Sequence, residues 1–378
     1  MMQMKQTAQD LFSLLRLAIG TAGPEDETAR GLKDLPMGRW KEVMALAEGQ
    51  GVDAVAFDGV QRLYGRWGAG MKAVADTPRE WMRWVFGRTA MMAQHEQRYQ
   101  KQRMVIAELS AILRGEGIRT MVFKGQANAS FYPEPRHRAT GDIDCYLFGE
   151  ADKGDAVMAG HGARIDNGWY RHSVMAYKGE TIENHRVMGH TRGSRKKKMM
   201  EEELEDMARQ CLAEEGRCQH DAGEVYFPTA QLNACFLTYH GLYHFLTEGL
   251  RMKQVLDWAM FLGREQERVD WEAFDGFCQR YGLDRFARAM NDIATTLLGV
   301  RLTARGVHAD GRLTERIVQD TLYGDSYLFN SGKGDWKVRW LLVRNMLTRD
   351  RWKYRDVARQ NVWAQLWNSA AGFLLEKD

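Results

Sequence analysis

Cysteine and proline are both scarce in this 378-residue chain, which contains five of the first and six of the second. None of the cysteines forms a Cys-x-x-Cys pair, so the commonest zinc and thiol-redox motifs are excluded. Their odd number and scattered positions indicate reduced thiols and not a disulfide framework. The low proline content leaves room for long helices, because proline ends or kinks a helix from within.

Long apolar runs are also missing. No stretch reaches the roughly 18 consecutive apolar residues that a membrane-spanning helix needs, so we expect no membrane partner. The segment from Met1 to Phe12 carries Gln, Lys and Asp where a secretory signal requires an apolar run, which predicts a cytoplasmic protein. The net charge of +3 results from 53 basic and 50 acidic residues, so it does not indicate nucleic-acid binding.

Apolar residues at helical spacing dominate both ends of the chain, and a shorter strand-rich stretch lies between them. Hydrophobic residues make up 44% of the chain, which is enough for a core of ordinary size. We predict an α+β fold with an N-terminal helical region over 1–115, an α/β core over 116–228 and a C-terminal helical domain over 229–378. The core should be a small mixed sheet with helices.

Two aspartates lie one residue apart in Gly141-Asp142-Ile143-Asp144, at the start of a strand predicted over 142–148. Residues i and i+2 of a strand point to the same face, so the two carboxylates should lie close together. Such a pair repels and raises its own pKa values unless hard divalent cations lie between the charges. The sequence therefore predicts a magnesium site in which Asp142 and Asp144 are catalytic metal ligands.

A two-metal site for phosphoryl chemistry normally uses a third carboxylate. Glu183 is the predicted third ligand, because it lies in a β-rich run, 181–187, that can pair beside the aspartate strand. Glu180 competes with it, but strand parity lets only one of the two face the site. His185 shares the face of Glu183, where it could orient a carboxylate, contact the nucleotide or make a structural hydrogen bond.

Upstream, Lys124 and Gly125 end one predicted strand and open a helix predicted over 126–132. Free backbone N–H groups and the positive end of a helix dipole should therefore face this turn, which favours a phosphate. Gly125 would allow the backbone to approach a triphosphate closely. Lys124 and Arg138 could add charge-assisted hydrogen bonds to its oxygens.

In order and spacing, these motifs resemble the uncharacterised bacterial nucleotidyltransferases of the DNA polymerase β-like superfamily. The resemblance spans 118–262 and rests on Phe123-Lys124-Gly125, Tyr132-Pro133-Glu134-Pro135, the run from Arg138 to Asp144, Glu183-Asn184-His185, His244-Phe245 and the run from Gly249 to Trp258. One departure is that Gln126 follows Gly125, where many members of the superfamily have serine.

What the resemblance implies is a polymerase β-like core that binds a nucleoside triphosphate, with ATP expected, and two Mg²⁺ ions. Asp142, Asp144 and Glu183 would hold the metals. Lys124 and Gly125 would bind the nucleotide. Arg138 and His185 are the other two candidates for contacts to it. The implied reaction transfers a nucleoside monophosphate to an acceptor hydroxyl or phosphate and releases pyrophosphate; the acceptor could be a small molecule, a protein or RNA.

Two alternatives to this function stay open. The chain could be a catalytically inactive nucleotide-binding or scaffold protein, which the departure at Gln126 favours. It could also be a toxin-like transferase that modifies tRNA, for which the basic run Arg192 to Lys198 is the only indication. Four acidic residues follow that run and favour a solvated helix instead, namely Glu201, Glu202, Glu203 and Glu205. His240 and His244 have the i, i+4 spacing of helical metal ligands, but packing at an interface explains them as well.

Overall fold

The computed structural model describes residues 4–168, 170–189, 194–213, 219–220, 225–303, 310–324 and 336–363. The predicted α+β class is confirmed. The chain opens with six helices, α1 Gln6–Ile19, α2 Glu27–Arg30, α3 Met37–Gly49, α4 Asp53–Trp67, α5 Lys72–Asp76 and α6 Pro78–Gly115. Arg192, which the sequence placed in a basic run, lies outside the described residues, as does Glu224 at the start of a predicted strand.

Helix α6 connects the N-terminal helices to the sheet. It has 38 residues and begins at Pro78, whose fixed φ suits the first helical position. At about 1.5 Å per residue it is roughly 57 Å long. Trp81 and Met92 in its first half belong to the hydrophobic core of the helical regions, whereas Ile106 and Leu109 in its second half belong to the core beneath the sheet. One rigid helix therefore fixes the position of the sheet.

The central region alternates strands and helices as predicted. Its elements are β1 Met121–Phe123, α7 Gly125–Ala129, β2 Ile143–Tyr146, α8 Ala151–Gly160, β3 Arg164–Asp166, β4 His172–Tyr177, β5 Glu180–His185, α9 Arg195–Ala213, β6 Gln219–His220 and β7 Val225–Tyr226. They form one mixed sheet in the order β3-β4-β5-β2-β1-β7-β6. Strand β2 lies in the middle, antiparallel to β1 and parallel to β5.

The C-terminal region is helical. It contains α10 Ala230–Thr247, α11 Met252–Glu265, α12 Trp271–Tyr281, α13 Asp284–Asp292, α14 Gly311–Tyr323 and α15 Trp336–Leu347. Helices α10 to α14 share one hydrophobic core with the N-terminal helices. Within the described ranges, no helix is both long and apolar enough to cross a membrane.

One predicted helix is shorter in the structure than expected, and another helix of the structure was not predicted. The helix predicted over 126–132 runs only from Gly125 to Ala129. Tyr132 precedes Pro133, and a residue before proline avoids the helical conformation. Helix α14 was not predicted, although Asp310 caps its first turn by accepting hydrogen bonds from the N–H groups of Arg312 and Leu313.

Candidate active site

Three carboxylates meet where β2 and β5 lie side by side. Asp144 and Glu183 are register partners on these parallel strands, so their side chains leave the same face of the sheet. Asp142 lies two residues before Asp144 and is close enough to both for their charges to act on it. Glu180 lies on the other face, where Lys101 and Gln102 of α6 contact its carboxylate. Of the two glutamates, only Glu183 lies beside the aspartates.

The three carboxylates differ in their electrostatic surroundings. Partial burial of the carboxyl, together with repulsion from Asp144 and Glu183, raises the pKa of Asp142, although its side chain as a whole is exposed. Burial would also raise the pKa of Asp144, but Lys124 and His185 outweigh it and lower that pKa. The pKa of Glu183 lies well below its usual value, because His185, Lys124 and His172 outweigh its burial.

Lys124 brings a cation to this cluster. Its Nζ lies 2.5 Å from Asp144 Oδ1, and its side chain is largely buried. Its backbone has a φ of +57°, in the left-handed region that non-glycine residues rarely adopt. This turn carries the chain from β1 into α7 and directs the ammonium group back over the sheet. Gly125 has ordinary negative φ, and an added Cβ would lie at normal contact distance, 3.7 Å, from Asp142 O.

Two histidines stand next to Glu183. His185 is 1% exposed, and its Nε2 lies 3.1 Å from Asp144 Oδ1 and 3.5 Å from Glu183 Oε2. His172 of β4 is the register partner of His185, and its Nε2 lies 3.6 Å from Glu183 Oε1. Burial lowers the pKa of His172 to about 4. His172 was not predicted; only the pairing of β4 with β5 brings it to the site.

The loop before Asp142 is held by α6. Both Gln102 Nε2 and Arg98 Nη2 donate hydrogen bonds to Gly141 O, at 2.6 and 3.2 Å. Gln126 also faces α6, because its Nε2 lies 3.4 Å from the carbonyl oxygen of Tyr99. Gln126, which follows Gly125 where many members of the polymerase β-like superfamily have serine, is therefore buried against a helix.

Arg138 forms a two-pronged ion pair with Asp257 of α11. Its Nε and Nη2 donate to the two carboxylate oxygens at 2.8 and 2.7 Å, and both residues are at most 5% exposed. The Tyr132 hydroxyl and the Asn128 amide donate to the same carboxylate. This network fastens the segment between β1 and β2 to the C-terminal helices. The role of Arg138 as a phosphate ligand stays a prediction.

Lys253 was missed by the sequence analysis. It lies on α11 one turn before Asp257, where burial and the nearby charge of Arg138 lower its pKa to about 8. Asp142 also acts on it electrostatically. The signal was present in the motif from Gly249 to Trp258, but a lysine in a helix usually lies in solvent, and the sequence does not show that this one is half-buried.

Strand β5 is held in place from its other face and from its end. The side chain of Asn184 donates to Asp155 Oδ1 of α8 at 2.7 Å and to the carbonyl oxygen of Ala151 at 2.9 Å. Beyond the strand, the buried Glu201 of α9 accepts hydrogen bonds from the N–H groups of Met188 and Gly189. These contacts hold the backbone that carries Glu183 and His185, although they do not involve the side chains of these two residues.

Helix α10 forms the opposite wall. Phe236 packs edge-on against Phe123 and stacks on the ring of His240. His240 and His244 face each other with their Nε2 atoms 3.1 Å apart. Burial, then the nearby positive charge of Lys124, places the pKa of His240 well below its usual value. The pair therefore packs beside the site, as the interface interpretation expects.

The oxygen-rich donor set fits a hard divalent cation. Three carboxylates converge, and the repulsion that raises the pKa of Asp142 is the kind that a bound dication relieves. Lys124 Nζ contacts Asp144, so one of the three carboxylates already has a positively charged partner.

Comparison with known families identifies a match over most of the chain. A family model described as "Uncharacterised nucleotidyltransferase" matches residues 36–299, which include β1, β2, β5, α10 and α11. No curated protein matches the chain, and no solved structure does.

Proposed function

The chain belongs to the uncharacterised nucleotidyltransferase family, and from this premise we propose that it transfers a nucleoside monophosphate from a nucleoside triphosphate, with ATP the expected donor, to an acceptor hydroxyl or phosphate. The observation that carries the proposal is the register of Asp144 with Glu183 on adjacent parallel strands, with Asp142 beside them. The reaction belongs to the core over 116–228, and the helical regions form the walls that select the acceptor.

Asp142, Asp144 and Glu183 would hold two Mg²⁺ ions. When bound, such ions neutralise the triphosphate and stabilise the charge on the attacking and leaving oxygens. Carboxylate oxygens are the ligands that Mg²⁺ prefers. The protein's own part is to keep three acidic groups together, which it does through the pairing of β2 with β5 and the contacts of α6 with Gly141.

In the proposed reaction, an acceptor oxygen forms a bond to the α-phosphorus while the bond from that phosphorus to the α–β bridging oxygen breaks. Pyrophosphate leaves with the bridging oxygen. An acceptor hydroxyl gives its proton to a carboxylate of the cluster. Asp142 is the most exposed of the three carboxylates, so it is the one that an acceptor hydroxyl can reach.

Lys124 and Lys253 are the cations we assign to the triphosphate. Lys124 reaches the cluster from the turn between β1 and α7. Lys253 comes from α11 on the side of Asp142. A phosphate oxygen would give either ammonium group a charged partner. Arg138 keeps its pairing with Asp257 in this assignment and supports the segment that carries the site.

The test is calorimetric titration of the full chain with each of the four nucleoside triphosphates, with and without Mg²⁺. We expect binding of at least one triphosphate that depends on Mg²⁺ and is lost in Asp142→Asn and Asp144→Asn. Glu183→Gln should weaken it, and Glu180→Gln is the matched control, because Glu180 lies on the same strand but faces α6. Absence of binding to every triphosphate would overturn the proposal.

Transfer is followed with a triphosphate labelled at the α-phosphate, offered with small hydroxyl compounds, protein or tRNA. Label on an acceptor that disappears in Asp142→Asn supports nucleotidyl transfer. Bound nucleotide without release of pyrophosphate to any acceptor would favour the inactive scaffold instead. Label on tRNA, together with growth arrest that Asp142→Asn relieves, would favour the toxin-like transferase.

A further inference from the structure

The β5 side of the carboxylate cluster contains nitrogen donors as well as oxygen donors. One ring nitrogen of His172, one ring nitrogen of His185 and a carboxylate oxygen of Glu183 all lie within 4.8 Å of one another. We propose that His172, Glu183 and His185 form a site for a first-row transition-metal dication, such as Co²⁺ or Zn²⁺, in preference to Mg²⁺. This site shares Glu183 with the proposed magnesium site. Only a role of the bound ion in nucleotidyl transfer rests on the proposed function; binding of the ion itself does not.

The distances suit coordination. Four- to six-coordinate ions with ligand bonds of about 2.0–2.2 Å have neighbouring donor atoms roughly 2.9–3.6 Å apart. Glu183 Oε1 lies 3.6 Å from His172 Nε2, and Glu183 Oε2 lies 3.5 Å from His185 Nε2. Asp144 Oδ1, 3.1 Å from His185 Nε2, is within reach as a further donor. Small side-chain movements would bring both ring nitrogens and both carboxylates to one ion.

The surroundings of His185 resemble the support that metal-binding histidines usually have. Such a histidine donates its second ring N–H to a carbonyl or carboxylate, which fixes the ring and exposes the lone pair of the other nitrogen. His185 Nδ1 lies 3.4 Å from Val187 O. The edge of Phe123 packs on the same ring, with centroids 4.9 Å apart. The ring therefore has little freedom to turn away from Glu183.

Hydrogen bonding alone satisfies this cluster poorly. His185 Nε2 faces both Asp144 Oδ1 and Glu183 Oε2, and one N–H cannot serve two carboxylates well. A dication would interact with both carboxylates and with the nitrogen lone pairs at once. Imidazole nitrogen favours the later first-row ions, whereas Mg²⁺ selects oxygen ligands. The nitrogen donors therefore shift the preference of this half of the site away from Mg²⁺.

The experiment uses the full chain freed of metal by a chelator, without nucleotide, titrated with Co²⁺, Zn²⁺ or Mg²⁺ alone. Visible absorption of the Co²⁺-loaded protein reports nitrogen coordination. We expect His172→Ala and His172→Gln to weaken Co²⁺ binding at least about tenfold and to change Mg²⁺ binding by less than about twofold. Circular dichroism checks that both variants fold.

Two controls separate this site from others. His161→Ala removes an exposed histidine at the end of α8 and should leave Co²⁺ binding unchanged. His244→Ala removes one member of the His240–His244 pair, which could bind Co²⁺ by itself. Loss of Co²⁺ binding in His244→Ala but not in His172→Ala would overturn the inference, as would equal affinity of the native protein for Co²⁺ and Mg²⁺. His172-dependent Co²⁺ binding in a protein that binds no triphosphate would support this site and refute only the proposed function.

Discussion

Arg138 and Asp257 form a buried, two-pronged ion pair that joins the segment between β1 and β2 to α11. Removal of either partner should destabilise the protein by about 3–5 kcal/mol, because it leaves a charge in the interior without its counterion. We therefore expect Arg138→Met and Asp257→Leu each to lower the urea midpoint strongly. The double variant should lose less than the sum of the two, because no unpaired charge remains. Full additivity would mean that the two side chains do not interact.

The same variants test whether Arg138 binds the phosphates of the nucleotide or only supports the site. If Arg138 only supports the site, Arg138→Met should lower triphosphate affinity and stability together. The double variant with Asp257→Leu should then recover part of both quantities. Recovered stability without recovered affinity would assign the guanidinium to the phosphates, as the sequence predicted.

Asp142 and Asp144 should differ in their effect on stability when no metal is present. Asp142→Asn relieves repulsion and should raise the free energy of unfolding by up to about 1 kcal/mol after solvent screening. Asp144→Asn removes the partner of Lys124 and should lower it by about 1–3 kcal/mol. Thermal melts of the chelator-treated proteins at neutral pH measure both.

The pH dependence of these two effects follows from the directions of the pKa shifts. The pKa of Asp142 is raised, so its repulsion is present at neutral pH and the advantage of Asp142→Asn should vanish as the pH falls below the ordinary value of 3.8. The pKa of Asp144 is lowered, so its contribution is present above 3.8 and is lost as the pH falls through the lowered value. A loss of stability in Asp142→Asn at neutral pH would contradict the repulsion.

The carboxylate cluster could be predicted from the sequence because the prediction depends on residue spacing within single strands. The spacing of Asp142 and Asp144 places both on one face of their strand, and the spacing of Glu180 and Glu183 places these two on opposite faces of theirs. The order of strands and helices was predicted for the same reason. The family match over 36–299 includes both strands.

The contacts of the site could not be predicted in the same way, because they join distant parts of the chain. His172 reaches the cluster only through the register of β4 on β5. Arg138 has a charge that suits a phosphate, but its partner Asp257 is 119 positions away. Lys253 is unusual only because helix packing leaves it half-buried. Sequence patterns show which residues could act together, and tertiary packing decides which of them meet.

Gly59 of α4 makes a close contact with α1. A Cβ added to it would lie 2.3 Å from Leu14 O, which is backbone and cannot move aside. Gly59→Ala should therefore cost about 1–3 kcal/mol by overpacking. Gly65 on the same helix has nothing within 4 Å of an added Cβ, so Gly65→Ala should instead stabilise by about 0.5–1 kcal/mol. Denaturant unfolding of the pair measures both changes, and equal effects would refute the close packing.

The charged side chain of Lys253 should lower the free energy of unfolding. Its pKa is lowered to about 8 from the ordinary 10.5, so charging it in the folded state is unfavourable. The sign follows from linkage: the penalty is fully present below pH 8 and disappears as the pH rises towards 10.5. Lys253→Met should therefore be roughly 1–3 kcal/mol more stable than the native protein at pH 7.

Urea unfolding at several pH values tests this prediction, with Lys72→Met as the control, because Lys72 is exposed and forms only an i, i+4 pair with Asp76. The gap between the native protein and Lys253→Met should close as the pH approaches 10.5, whereas the control should differ little at any pH. Triphosphate affinity should fall about tenfold in Lys253→Met if the ammonium group binds phosphate. A variant that is less stable at pH 7 would show that the ammonium group holds the fold together, and the assignment of Lys253 to the triphosphate would then lose its basis.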